Sequence, residues 1–215
     1  RFRPLPRRAP ALMAVRALFP TLVYEAPLGN DDRLRRRLLD EARRLREVDG
    51  DGRAWCARNY PGGYTSYATF DRLHRSFTTF AELERRLDRH VRAFARRIGF
   101  DLGGGRLRMT DCWVNLMGRA AVHGLHLHPL SVLSGTYYLR IPAGAPGLRL
   151  EDPRLDRFMG SPPRGDRGRP HRELAVRSGR IVLFESWLRH EVPANPSRRE
   201  RASVSFNYDW VRSAE

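Results

Sequence analysis

The chain has 215 residues with 40 basic and 24 acidic side chains, a formal charge of +16, and every basic residue is arginine. That length suits one domain with a sizeable core, two cysteines are too few for a disulfide framework or a zinc knuckle, and no apolar run approaches the roughly 20 residues that span a membrane. The arginines are dispersed over helices and loops instead of alternating with aromatics on one strand face, which argues against a nucleic-acid partner despite the charge; no membrane partner is expected, and the cytoplasm is the default compartment.

Residues 1–12 read as a basic, proline-rich tail that buries too little apolar surface to offset its ordering entropy. A single domain is expected over 13–215, divided into an N-terminal strand with helical support over 13–105 and a β core over 106–211. Thr21 to Tyr24 reads as a first strand. Asn30, Asp31 and Asp32 open a helix, acid in the first turn favouring the positive end of its dipole, and Leu34, Leu38, Ala42, Leu45 and Val48 recur at helical steps. From Gly50 to Ser76 the period fails. This stretch reads as a loop in which Trp55, Tyr60, Tyr64 and Tyr67 surround Pro61, Gly62 and Gly63; it is expected to pack its aromatics on a sheet, and it is the best candidate for substrate contact. Thr79 to Glu82 has capping-box spacing. Leu83, Leu87, Val91, Phe94 and Ile98 then share one helix face, and Gly99 supplies a stop. Gly103 to Gly105 reads as a hinge and lacks the strand-to-helix context of a phosphate loop.

After that hinge the texture turns to short β-branched and aromatic runs: 107–117, 132–141, 147–151, 173–177, 180–185, 189–193 and 201–210, separated by glycine, proline or asparagine turns. Many short strands after two helices predict an α+β, mainly β fold, a jelly roll or double-stranded β-helix of the cupin kind, with the two N-terminal helices packed on one sheet. The segment 152–170 is too rich in proline, glycine and arginine for either period and reads as a mobile surface excursion.

The chemistry is expected at three short pieces. On a strand, side chains two apart share a face, so His126 and His128 would present two imidazoles to one point. His190 follows the buried-looking run Ile181 to Phe184 and could complete a metal site, neutral imidazole being the commonest protein metal ligand. His123 reads as a supporting or exposed residue, and His74, His90 and His171 as surface. In 201–207 the strand alternates Arg201, Ser203, Ser205 and Asn207 on one face with Ala202, Val204 and Phe206 on the other. An inward guanidinium beside a metal needs an anion, and a bidentate carboxylate fits it.

Taken together, Trp113 to Asn115, His126 to Pro129, Ser131 to Tyr138, Glu151 to Arg154, Phe184 to Val192 and 201–207 resemble a bacterial family of iron(II)- and 2-oxoglutarate-dependent oxygenases; Leu18 to Thr21 is also similar. The resemblance covers roughly residues 107–210. It implies a double-stranded β-helix, Fe(II) held by His126, His128 and His190, and 2-oxoglutarate as co-substrate anchored by Arg201 and Ser203, with Asn115 and Tyr138 as further contacts.

One departure from the common pattern stands out. Two histidines and one carboxylate make up the usual oxygenase triad, but the middle position here is His128. Either three neutral imidazoles form the site, or a carboxylate from elsewhere, Glu185 being nearest, replaces one of them. Three histidines plus water also suit zinc. The reading is an oxidoreductase, a dioxygenase that hydroxylates a small-molecule or peptide substrate. Two alternatives remain open: a three-histidine cupin dioxygenase that needs no 2-oxoglutarate, and a non-catalytic metal-binding β-sandwich that serves as an interaction module. Exposed edge strands suit a homodimer.

Overall fold

The computed structural model describes residues 16–29, 32–160, 162 and 169–212. The expected tail over 1–12, the helix-opening Asn30 and Asp31, and most of 161–168 lie outside the described residues.

The elements run β1 (Tyr24–Pro27), α1 (Asp32–Val48), α2 (Gly50–Asn59), β2 (Gly63–Thr65), α3 (Leu73–Ser76), α4 (Thr78–Arg97), β3 (Gly105–Met117), β4 (His123–His126), β5 (Leu133–Arg140), β6 (Leu148–Glu151), β7 (His171–Leu174), β8 (Arg180–Glu185), β9 (His190–Val192) and β10 (Arg201–Arg212), with a short 3₁₀ turn at Leu155–Phe158. They form a six-stranded sheet, ordered β1-β8-β5-β10-β3-β2, and a four-stranded sheet, β4-β9-β6-β7. All strand pairs in both sheets are antiparallel. This is the expected mainly β jelly roll with helices. Among the described residues, no helix is long and apolar enough to cross a membrane.

Strand β10 shows why the sequence folds this way. It pairs with β3 from Arg201↔Met117 to Arg212↔Gly105 and with β5 on its other side, so its two faces see different surroundings. Ala202, Val204, Phe206 and Tyr208 are buried in the main core, which also contains the apolar stripes of α1 and α4. The Tyr208 hydroxyl donates to Asp88 of α4 at 2.9 Å, and Arg35 of α1 donates to the carbonyl of Leu139 on β5 at 2.9 Å. Helices α1 and α4 therefore cover the back of the large sheet. Its front, carrying Arg201, Ser203, Ser205 and Asn207, faces the small sheet. Where β5 pairs with β10 on one side and β8 on the other, Gly135 leaves room for close packing, since a Cβ there would lie 2.6 Å from Leu183 and 2.7 Å from Phe206.

Several local expectations are corrected. The loop expected from Gly50 to Ser76 contains α2, β2 and α3. Its sequence hides them because α2 has no sustained apolar stripe; buried hydrogen bonds hold it instead. Asp49 caps α2 through Gly52 N–H (2.8 Å) and accepts from the hydroxyls of Tyr64 (2.7 Å) and Thr69 (2.6 Å). The first strand is β1 at Tyr24–Pro27, displaced from the expected Thr21 to Tyr24. Val48 closes α1 on its exposed side, at 78 % exposure, whereas Leu34, Leu38, Ala42 and Leu45 are buried as the period predicts. Thr79 does not cap α4: the helix starts at Thr78 without a side-chain cap, and the Thr79 hydroxyl donates to Glu41 and accepts from Arg37, tying α4 to α1. Within the excursion 152–170, Asp152 pairs with Arg154 and Arg157, both at 3.0 Å, and the 3₁₀ turn forms there. His74, within α3, is buried and not at the surface, and burial holds its imidazole at about 4.

Candidate active site

Four histidine rings meet between the two sheets. His126 ends β4 opposite His190 on β9, and those rings lie 4.3 Å apart. His128 is 5.3 Å from His126 and 5.1 Å from His190. One ring nitrogen from each of these three lies within 4.8 Å of the others, the grouping a metal ion requires. His128 does not share a strand with His126, as the two-residue period assumed. β4 ends at His126, and His128 sits just beyond it, its N–H bonded to the carbonyl of Ser186 at 3.0 Å.

The other nitrogen of each ring has an oxygen partner. His126 Nδ1 faces the carbonyl of Gly124 at 2.7 Å, and His190 Nδ1 faces that of Leu188 at 2.9 Å. His128 Nδ1 faces Asn207 Oδ1, while Ser134 Oγ lies 2.9 Å from the same nitrogen and 2.8 Å from the Asn207 oxygen. A carbonyl oxygen can only accept. Each Nδ1 therefore carries the proton, and each Nε2 keeps its lone pair free to ligate. Burial is the main reason all three rings stay neutral: it lowers His126, takes His128 to about 4 and His190 to about 2, with His126 adding to the effect on the other two.

Glu185, the alternative ligand, is not in this group. The ring of its neighbour Phe184 packs on His190 at 4.6 Å, and adjacent side chains on a strand point to opposite faces, so Glu185 is directed away. His123 lies inside the site but outside the ligand group: it stacks on His126 at 4.8 Å and 18°.

The cavity below the histidines is lined by Trp113, Asn115, Tyr138, Arg201, Ser203 and Ser205. Arg201 is 2 % exposed. Its guanidinium carbon lies 5.3 Å from the centre of the Tyr138 ring, and one terminal nitrogen contacts the Met117 sulfur at 3.6 Å. No carboxylate among the described residues forms an ion pair with it, and its Nε has no hydrogen-bond partner among them. The Tyr138 hydroxyl and the Asn115 carbonyl oxygen are likewise buried without a partner, although the Asn115 amide donates to Ser205 at 3.0 Å. Burial lowers the Arg201 pKa and raises that of Tyr138 to about 12. Buried polar groups are normally satisfied; a cluster of orphans around a buried cation fits an anion with several acceptor oxygens.

Above the histidines a second pocket opens to the surface, walled by Trp55, Tyr67, Trp113, Asp111, Asp209 and the turn Leu127 to Ser131. Tyr67 packs edge-on against Trp113 at 5.0 Å, and Trp113 packs on His128 at 5.6 Å. Two aromatics of the expected loop, Trp55 and Tyr67, thus wall this outer pocket. Sequence reasoning missed Asn207 and Ser134 as the partners of His128; the polar alternation of β10 was the available signal for Asn207, and nothing local marked Ser134.

The jelly roll thus brings imidazoles grouped for a metal ion together with a buried arginine that has no carboxylate partner among the described residues, an arrangement able to hold a cation and an anion side by side. Residues 111–207 match the family model described as "Putative 2OG-Fe(II) oxygenase". Solved structures share the fold. HygX from Streptomyces hygroscopicus, with nickel and 2-oxoglutarate bound, is 17% identical with a TM-score of 0.61, covering 88% of this chain and 83% of that one. A prolyl-4-hydroxylase from Pseudomonas putida is 17% identical with a TM-score of 0.57, covering 90% and 94%. SnoN, an alpha ketoglutarate dependent epimerase from nogalamycin biosynthesis, is 17% identical with a TM-score of 0.61, covering 88% and 78%. No curated protein matches the sequence.

Proposed function

We propose that this chain is an Fe(II)- and 2-oxoglutarate-dependent oxygenase that hydroxylates a C–H bond of a small-molecule or peptide substrate. In this reading the Nε2 atoms of His126, His128 and His190 hold the metal, Arg201 and Ser203 take the distal carboxylate of 2-oxoglutarate, and Asn115 and Tyr138 complete its pocket. The single observation that carries the reading is the buried, unpaired Arg201 guanidinium in the cavity that the three free imidazole nitrogens also line. A three-histidine dioxygenase that binds its substrate directly to iron would have no use for that arginine.

When bound, ferrous iron and 2-oxoglutarate would supply the oxidising power, 2-oxoglutarate losing its 1-carboxylate as CO₂ while one oxygen atom of O₂ goes to the substrate and the other to succinate. The protein's residues position and exclude. The carbonyls of Gly124 and Leu188 and the Asn207 side chain lock the imidazoles in the ligating tautomer, so none must lose a proton when metal arrives. Three neutral ligands leave the metal's full positive charge to attract the keto-acid end of the co-substrate. Arg201 grips the opposite end and fixes its orientation. Trp113 and Tyr67 shield the histidines on the substrate side, keeping water from the reacting carbon.

The test is anaerobic loading with Fe(II) and 2-oxoglutarate, followed by oxygen and measurement of succinate, alone and with candidate substrates. Succinate formation that depends on Arg201, together with a product heavier by one oxygen atom, supports hydroxylation. Succinate with an isomerised product of unchanged mass replaces hydroxylation by epimerisation. No binding of 2-oxoglutarate to the metal-loaded protein defeats the reading.

A further inference from the structure

The residues matching the oxygenase family begin at Asp111, yet the anion pocket has a neighbour from far outside them. Tyr60 follows the last residue of α2 and begins the turn Tyr60-Pro61-Gly62-Gly63, in which Gly63 N–H bonds to the Tyr60 carbonyl at 3.0 Å and Gly62 has φ +76°. Proline at the second position and a left-handed glycine at the third make a type II turn. This rigid turn folds the Tyr60 ring back over Gly63, where an added Cβ would lie 2.3 Å from the ring.

Strand register shows which face of the sheet that ring covers. Gly63 pairs with Met117 on β3, and Met117 pairs with Arg201 on β10. Directly opposed residues of antiparallel strands project to the same face, and the Met117 sulfur touches the Arg201 guanidinium at 3.6 Å. The Tyr60 ring therefore lies on the cavity face, in the same row as Met117 and Arg201. Its other side meets the His123 ring, 5.4 Å away. The Tyr60 hydroxyl is buried and has no hydrogen-bond partner among the described residues, the same condition as Tyr138 and Arg201 Nε. Burial raises its pKa, with Arg201 pulling the other way, so at neutral pH the group is a hydroxyl and a donor.

We infer that Tyr60 is a further co-substrate-binding residue, its hydroxyl donating to the distal carboxylate that Arg201 grips. This rests on the reading of the cavity as a 2-oxoglutarate site and extends it to a residue of the N-terminal helical region. The helix it terminates also carries Trp55, a wall of the outer pocket. Gripping the co-substrate through Tyr60 would therefore steady the substrate wall as well.

The test uses Tyr60→Phe, which keeps the ring over Gly63 and removes only the unpartnered hydroxyl. Binding is measured by calorimetry under anaerobic conditions on Fe(II)-loaded full chain, with 2-oxoglutarate and with 2-oxobutyrate, which has the same keto-acid head but no distal carboxylate. Losing one hydrogen bond to a charged group should weaken 2-oxoglutarate binding roughly tenfold to a hundredfold and leave 2-oxobutyrate unchanged, with thermal stability undiminished. Equal affinity of variant and wild type for 2-oxoglutarate overturns the inference. Equal weakening of both ligands also overturns it, because the hydroxyl would then be shaping the site at large. If the wild type itself fails to bind 2-oxoglutarate, the underlying reading falls first, and the inference with it.

Discussion

His128 Nδ1 is hydrogen-bonded to the side-chain oxygen of Asn207, a residue 79 positions further along the chain, on the strand that also carries Arg201. Asn207 is held in turn: its amide nitrogen donates to Asp111 at 3.2 Å, so its oxygen is the atom turned towards the imidazole. The contact joins the proposed metal site to the front face of the large sheet.

Removing that contact should loosen the metal without unfolding the protein. Asn207→Ala frees the His128 ring to rotate, and loss of such a supporting partner typically lowers metal affinity about 10- to 100-fold. Titration with Fe(II) or Ni(II) checks this; unchanged affinity would mean that Ser134, 2.9 Å from the same nitrogen, and packing against Trp113 suffice to orient His128.

The four histidines should separate into three and one. His126→Ala and His190→Ala should each abolish stoichiometric metal binding, whereas His123→Ala should change the metal affinity by no more than about twofold, since its ring stacks on a ligand without entering the group. His128→Asp is expected to retain metal, because two histidines and a carboxylate form a competent iron site. Metal content after dialysis distinguishes these outcomes.

Arg201 should cost stability in the empty protein. A cation that is 2 % exposed and has no carboxylate partner among the described residues carries an uncompensated desolvation penalty. Arg201→Met, similar in length and apolar, is expected to raise the stability of the ligand-free protein by about 1–3 kcal/mol while abolishing 2-oxoglutarate binding. Denaturant unfolding and calorimetry together test the trade; a less stable Arg201→Met protein would show that the guanidinium has a structural role.

Asp49 should make the N-terminal support acid-sensitive. Burial alone would raise its pKa, but hydrogen bonds from Thr69, Tyr64 and Gly52, with help from Arg53, outweigh burial and lower it; Cys56 also packs nearby. A carboxyl lowered by folding contributes stability that is complete above the ordinary aspartate range near about 4 and is lost as pH falls through the lower folded value. Asp49→Ala leaves three donors unsatisfied and should cost about 2–4 kcal/mol at neutral pH. Asp49→Asn should flatten the dependence of stability on pH below about 4; an acid profile identical to wild type would assign the effect to other carboxylates.

The sequence by itself determined the jelly-roll class, the order and approximate limits of the main strands, and the two-faced character of β10, because period-two alternation and turn residues act locally. It also singled out the histidines and Arg201, since imidazoles one residue apart and a polar strand face are conspicuous in one dimension. Only the tertiary structure decided that Glu185 points away, that His123 stacks on the ligand group without joining it, and that His74 is buried. It alone brought Tyr60 beside Arg201 and Asn207 against His128. Those relations depend on strand register and on a type II turn lying over a neighbouring strand, and contacts between residues 79 or more positions apart leave no periodic trace in a single chain. The helix after Asp49 escaped for a related reason: buried hydrogen bonds to Asp49 stabilise it, and a hydrophobic pattern cannot register them.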